Sequence, residues 1–235
     1  MSDPLVHQRE LAEHARDAHL GWLIGVLEVD LVLDVGANRG QFGRGLRGGG
    51  YAGRLVSFEP AAAPRARLEE LAAQDPAWEV RPWALGDSEG EAVLHAVDEE
   101  TELASLRDSS EFGRAWKDVM ARTREERVDV RRLDRAWAEL AGGARRVLLK
   151  LDTQGFDLAA FRGAGELVAP GGPVVALLSE VAHLPLYDGV PLMAEHLEEY
   201  AAAGWSLAGL YPVSFERDTL RAIEHDAVLV RTPLD

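Results

Sequence analysis

At 235 residues the chain is long enough for one α/β domain to bury a sizeable core, and nothing in its composition requires a second. Its 40 acidic residues against 25 basic ones give a formal charge of -15, a field that repels nucleic-acid backbones and anionic headgroups, so nucleic acid is not expected as a substrate. The absence of cysteine excludes disulfides, a thiol nucleophile and thiolate-bound metal.

Residues 5–27 carry apolar positions at helical spacing, with Leu11, Ala15, Ala18, Trp22 and Val26 on one side, predicting one or two leading helices over about residues 1–28. The apolar stretch Leu20 to Leu33 is interrupted by Glu28 and Asp30, is too short to span a bilayer and lacks a basic leader with a cleavage site, so a soluble cytoplasmic protein without a transmembrane segment is expected. The period then changes. Leu31, Val32 and Leu33 form a continuous apolar run, the pattern of a strand buried on both faces. Arg54 to Phe58 repeats it, a helix follows through Leu68 and Leu71, and a third strand is expected from Glu79 to Ala84. Glu91 to Val97 and Arg127 to Leu133 alternate like exposed antiparallel strands, and the polar piece from Thr101 to Arg124 between them reads as a lid, making an insert of about residues 88–133.

Val147 to Leu151 predict a fourth buried strand, Phe156 to Val168 a helix, and Val174 to Ser179 a fifth strand after the turn at Pro170 to Pro173. Pro191 suits a first helical position and Gly204 the end of that helix; Ser206 to Leu210 and Asp226 to Val230 then close the chain as a hairpin. This alternation predicts a single α/β domain over residues 1–235, with a mostly parallel sheet and helices on both faces.

Glycines in Asp34-Val35-Gly36-Ala37-Asn38-Arg39-Gly40-Gln41-Phe42 sit at a strand end before a helix, where a ligand can approach the backbone. A dinucleotide fingerprint needs glycine where Asn38 and Gln41 stand, which weakens a pyrophosphate reading. A loop preceded by an acid suits instead a ligand with a cationic amino-acid end, such as S-adenosylmethionine. Glu59 closes the second strand 23 residues after Gly36, where a carboxylate can accept both ribose hydroxyls, and Pro60 fixes the turn beside it. Trp83 to Asp87 ends the third strand, where an adenine should lie.

Ligands of open α/β sheets lie outside the carboxyl ends of the strands, so Asp34, Glu59, Asp152 and Glu180 should converge on one crevice. With neighbouring strands about 4.8 Å apart, Asp152 and Glu180 could share one acceptor hydroxyl or, as the less favoured reading, one magnesium ion. A hydroxyl is a poor nucleophile at neutral pH, so Asp152, Glu180 and His183 are the candidate bases. Asp152 could alternatively cap the next helix, and Lys150, on the same side of its strand, could orient it through an ion pair. Gln154 and Tyr187 are candidate hydrogen-bond donors to an acceptor, and Trp116, with Phe112, Trp205 and Tyr211, a candidate for stacking on a ring.

The blocks DVGANRGQF, LRGGGYAGRLVSFEP, ALGD, LKLDTQGFDLAAFRGA and SEVAHLPLYDG, in that order, resemble the FkbM-type methyltransferases over most of the chain. The LKLDTQGFDLAAFRGA block, followed by an acid and LYDG, is the specific part. The resemblance implies a Rossmann-like class I methyltransferase fold, with a seven-stranded sheet whose last strand is antiparallel, and S-adenosylmethionine as methyl donor. It implies transfer to oxygen, or in some members nitrogen, of a small acceptor such as a sugar, polyketide or glycolipid. It also implies that Asp34, Gly36, Asn38, Gly40 and Phe42 surround the methionine part, Glu59 the ribose, and Ala84 and Asp87 the adenine. A nicotinamide-dependent oxidoreductase and a non-catalytic cofactor-binding protein are the rival readings; oligomeric state stays open, a dimer included.

Overall fold

Every residue of Leu31–Val35 (β1) is buried, as a strand covered on both faces must be. In the computed structural model, which describes residues 4–231, β1 lies at the centre of a seven-stranded sheet. The chain enters through one long helix, α1 (Pro4–Val26), and continues from β1 through α2 (Gln41–Gly48), β2 (Arg54–Phe58), α3 (Ala62–Ala72) and β3 (Trp78–Arg81). The short β4 (Ala84–Leu85) and β5 (Gly90–Ala96) lead through α4 (Glu111–Trp116) to β6 (Arg124–Arg131). After α5 (Leu133–Leu140) follow β7 (Val147–Leu151), α6 (Asp157–Gly163), β8 (Val174–Ala182), α7 (Met193–Ala202), β9 (Trp205–Phe215) and β10 (Ala222–Arg231).

The sheet order is β3-β2-β1-β7-β8-β10-β9. The first five are parallel in register, and β10 runs antiparallel to both β8 and β9, as the family resemblance implied. Strand order reverses between β1 and β7, which sets the carboxyl ends of β1, β2 and β7 around one crevice. Side chains alternate along β1. Leu31, Leu33 and Val35 pack with Leu133, Phe161 and Tyr200 of α5 to α7, whereas Val32 packs with Leu20, Leu23 and Leu68 of α1 and α3. Each such buried side chain contributes about 1.5–3 kcal/mol. No helix among the described residues is long and apolar enough to cross a membrane.

Several boundaries differ from expectation for identifiable reasons. The third strand ends at Arg81 because Pro82 has no N–H to donate; two residues on, Ala84–Leu85 pairs instead with β6, in a second sheet of order β4-β6-β5. β5 and β6 are antiparallel as expected, but β6 stops at Arg131 and Leu133 opens a helix that the alternation had concealed. The helix after β7 breaks at Gly165, whose φ is +51°, and finishes as a 3-10 turn. Pro191 lies before the N-cap Leu192 rather than inside α7. The face assigned to the leading helix is also wrong. Leu11, Trp22 and Val26 are exposed, and the buried stripe runs through Leu20, Leu23 and Leu27.

Candidate active site

Three residues of the loop after β1 adopt left-handed backbone, Gly36 at φ +76°, Asn38 at +48° and Gly40 at +84°. Gly36 is required by packing as well. A Cβ there would stand 1.8 Å from the carbonyl oxygen of Asp152, so only glycine lets the ends of β1 and β7 approach. Gly40 faces Leu68, Leu71 and Trp78 and opens α2; it does not line the cleft. Asn38 does, and its backbone N–H donates to Glu59 Oε2 at 2.7 Å, while Ala61 N–H donates to Oε1 at 2.8 Å. Burial pushes the Glu59 carboxyl up to about 7, against the pull of those two N–H groups and of Lys150 and Arg65. Thr101 donates to Asn38 Oδ1 at 2.9 Å, tying the insert to the loop, and leaves the buried Asn38 Nδ2 as an unpartnered donor.

Beneath the loop a polar row crosses three strands. Ser57, Asp34 and Lys150 are register neighbours on β2, β1 and β7. Ser57 Oγ lies 3.1 Å from Asp34 Oδ2, and Lys150 Nζ lies 3.0 Å from Asp34 Oδ1, 3.3 Å from Asp152 Oδ2 and 2.9 Å from the Gly36 carbonyl it donates to. Burial alone would lower the Lys150 pKa; Asp34 and then Asp152 more than offset this and hold the ammonium above its usual range. Asp34 is therefore the buried counter-ion of Lys150 and, contrary to expectation, does not face the cleft.

That cleft, of about 750 Å3, brings together Gly36, Asn38, Phe42, Glu59, Pro60, Ala84, Lys150, Asp152 and Gln154 of the expected residues, and adds Thr101 and Arg16. Its size is that of a small-molecule site. Asp152 keeps a side chain 39 % exposed there, with Lys150 on one oxygen and Gln154 Nε2 3.3 Å from the other.

Glu180 does not reach the cleft. It is buried behind Gln154, whose Nε2 donates to Glu180 Oε2 at 2.6 Å, and burial followed by the charge of Glu224 raises its carboxyl well above the ordinary range. Asp152 and Glu180 thus do not present two free carboxylates to one cation, which removes the geometry expected for magnesium; among the described residues no cluster of three or more His, Asp or Glu is arranged to hold a metal. Tyr187 is fully buried and donates to Gln154 Oε1 at 2.7 Å, orienting the amide instead of touching an acceptor. His183 is exposed outside the cleft, its backbone N–H bonded to Ile223. Trp116 packs in a separate cluster with its indole N–H on the Phe215 carbonyl, and Asp87 points to solvent. Thr101 and Arg16 were missed because each reaches the site across a long sequence separation: 63 residues from Thr101 to Asn38 and 210 from Arg16 to Asp226.

A protein-family model described as the methyltransferase FkbM domain matches residues 34–206. Among solved structures, a chain of a fibrillarin/Nop5p complex aligns at 10 % identity over 86 % of this chain and 73 % of its own, with a TM-score of 0.49. Aeropyrum pernix fibrillarin with natively bound S-adenosyl-L-methionine aligns at 11 % over 86 % and 66 %, TM-score 0.44. An rRNA methylase from Streptococcus thermophilus aligns at 11 % over 98 % of both chains, TM-score 0.44. At these identities no acceptor carries over to this chain. No curated protein sequence matches it.

Proposed function

Given that the chain belongs to the FkbM family of S-adenosylmethionine-dependent methyltransferases, we propose that it methylates a hydroxyl oxygen of a small metabolite such as a sugar or polyketide. The observation that carries the reading is Asp152, the strand-end carboxylate that lines the cleft with one face open and its other contacts made by Lys150 and Gln154.

The residues present fit the donor. Glu59 ends β2 with its carboxylate on the cleft, able to accept ribose hydroxyls in addition to two backbone N–H groups. The unpartnered Asn38 Nδ2 offers a further donor, and Ala84 and Pro60 supply apolar walls. When bound, S-adenosylmethionine supplies a methyl carbon activated by its sulfonium. Asp152 would accept the hydroxyl's hydrogen bond, orient the oxygen in line and take its proton as the carbon–oxygen bond forms and the donor's carbon–sulfur bond breaks, leaving the thioether. Lys150 holds one oxygen of Asp152 in place, and Gln154, oriented by Tyr187, fixes the second. The acidic surface favours a neutral or cationic acceptor over a polyanion.

The test is a labelled-methyl screen over sugars, polyketides and amino sugars. Product carrying the label on oxygen supports the reading, and label found only on nitrogen overturns it.

A further inference from the structure

The inner stripe of α1 continues past Leu20, Leu23 and Leu27 to Arg16, one turn further toward the amino terminus. An arginine on the inner face of a helix needs a partner. Arg16 Nη1 lies 2.6 Å from Asp226 Oδ2 on β10, a carboxylate itself nearly buried, and the side chain of Arg16 is only 19 % exposed. That contact anchors the guanidinium on the wall of the cleft that also holds Gly36, Asn38 and Glu59.

Two cations, Arg16 and Lys150, line this cleft. Of the three N–H groups of Lys150 one is bonded to the Gly36 carbonyl, and the ammonium is ion-paired with both Asp34 and Asp152, so its charge is already taken up. Arg16 has five. One goes to Asp226, and Nε and Nη2 each give one to Asp17 Oδ1, an acid whose side chain is 52 % exposed and free to turn into water. Each terminal nitrogen of Arg16 therefore keeps one N–H outside these hydrogen bonds; Nη2 also pairs with Glu13 Oε1, but at 3.8 Å, beyond hydrogen-bond distance, and with a side chain 56 % exposed, so a carboxylate can take both N–H groups. The donor named under Proposed function carries one carboxylate, on its amino-acid end.

We propose that Arg16 is a cofactor-binding residue that takes the α-carboxylate of S-adenosylmethionine, with Asp226 holding the guanidinium from behind. The proposal rests on the methyltransferase reading and adds to it a contact from outside the segment that the family model matches. It makes α1 part of the cofactor site.

The experiment is calorimetric titration of the full chain and of Arg16→Gln with two probes, S-adenosylhomocysteine, which has the carboxylate, and 5′-methylthioadenosine, which lacks the amino-acid end. The expected result is a ten- to hundredfold loss of affinity for S-adenosylhomocysteine with affinity for 5′-methylthioadenosine unchanged. Arg16→Lys should recover part of the loss. Because Arg16→Gln leaves Asp226 buried without its partner, the double variant Arg16→Gln/Asp226→Asn is measured as well, and the same selective loss is expected. Equal loss for both probes in the double variant, or no loss for either, overturns the proposal. If the unmodified chain binds neither probe, the cofactor reading itself fails.

Discussion

Lys150 stands opposite Asp34 in the β1–β7 register with its ammonium 3.0 Å from Oδ1, and the same nitrogen reaches Asp152 and the Gly36 carbonyl. One buried cation thus links the glycine loop to the carboxylate that lines the cleft. Removing a single partner leaves an uncompensated charge in a buried row, a loss on the order of 3 kcal/mol. Asp34→Asn and Lys150→Met should each lower the urea midpoint accordingly, and the double variant should lose clearly less than the two losses added. Strict additivity in the denaturation curves would mean that the pair is not coupled.

For Asp152, replacement by asparagine keeps the shape and removes the carboxylate proposed as the base. Transfer should fall about 10²- to 10⁴-fold, while affinity for S-adenosylhomocysteine changes little. Single-turnover kinetics beside calorimetry separate the two, and full turnover in Asp152→Asn would leave the residue a structural role.

Glycine substitutions should split by environment. Gly36→Ala places a Cβ on the Asp152 carbonyl at a positive φ and is expected to abolish cofactor binding or folding. Gly45, inside α2, has nothing within 4 Å of its would-be Cβ, so Gly45→Ala should raise stability by roughly 0.5–1 kcal/mol. Thermal melts of the two variants check both signs.

Burial raises the carboxyls of Glu59 to about 7, Asp157 to about 7 and Glu224 to about 8. A carboxyl whose pKa is higher folded than unfolded binds protons more tightly in the native state. Its contribution to stability is complete below the unfolded value and is lost as pH rises through the folded one. The melting temperature should therefore fall between about pH 5 and pH 8. Glu224→Gln should flatten that slope, which separates the buried carboxyls from the general repulsion of an acidic surface; an unchanged slope would exclude Glu224 as a contributor.

The same shift predicts linkage to the cofactor. Ribose hydroxyls donating to Glu59 favour its ionised form, so binding near pH 6.5 should release a proton and tighten as pH rises through 7. Titration in buffers of different ionisation enthalpy measures the release, and proton uptake instead would contradict the assignment of Glu59 to the ribose.

Local chemistry determined much of this protein. The runs at Leu31, Arg54 and Val147 marked three parallel strands because a strand buried on both faces is predominantly apolar, and the acids at the ends of those runs indicated which end of the sheet carries the crevice. Lys150 beside Asp152 was legible from the two-residue period of a strand. Tertiary structure decided which of these side chains line the cleft. Asp34 and Glu180 look like Glu59 and Asp152 in sequence, yet Lys150 covers the first and Gln154 the second. The inner face of α1 was misread because charged Arg16 sits on it, and its partner Asp226 lies 210 residues away. Sequence periodicity reports what an element can bury; which carboxylate stays open to solvent depends on neighbours that only the folded chain brings into contact.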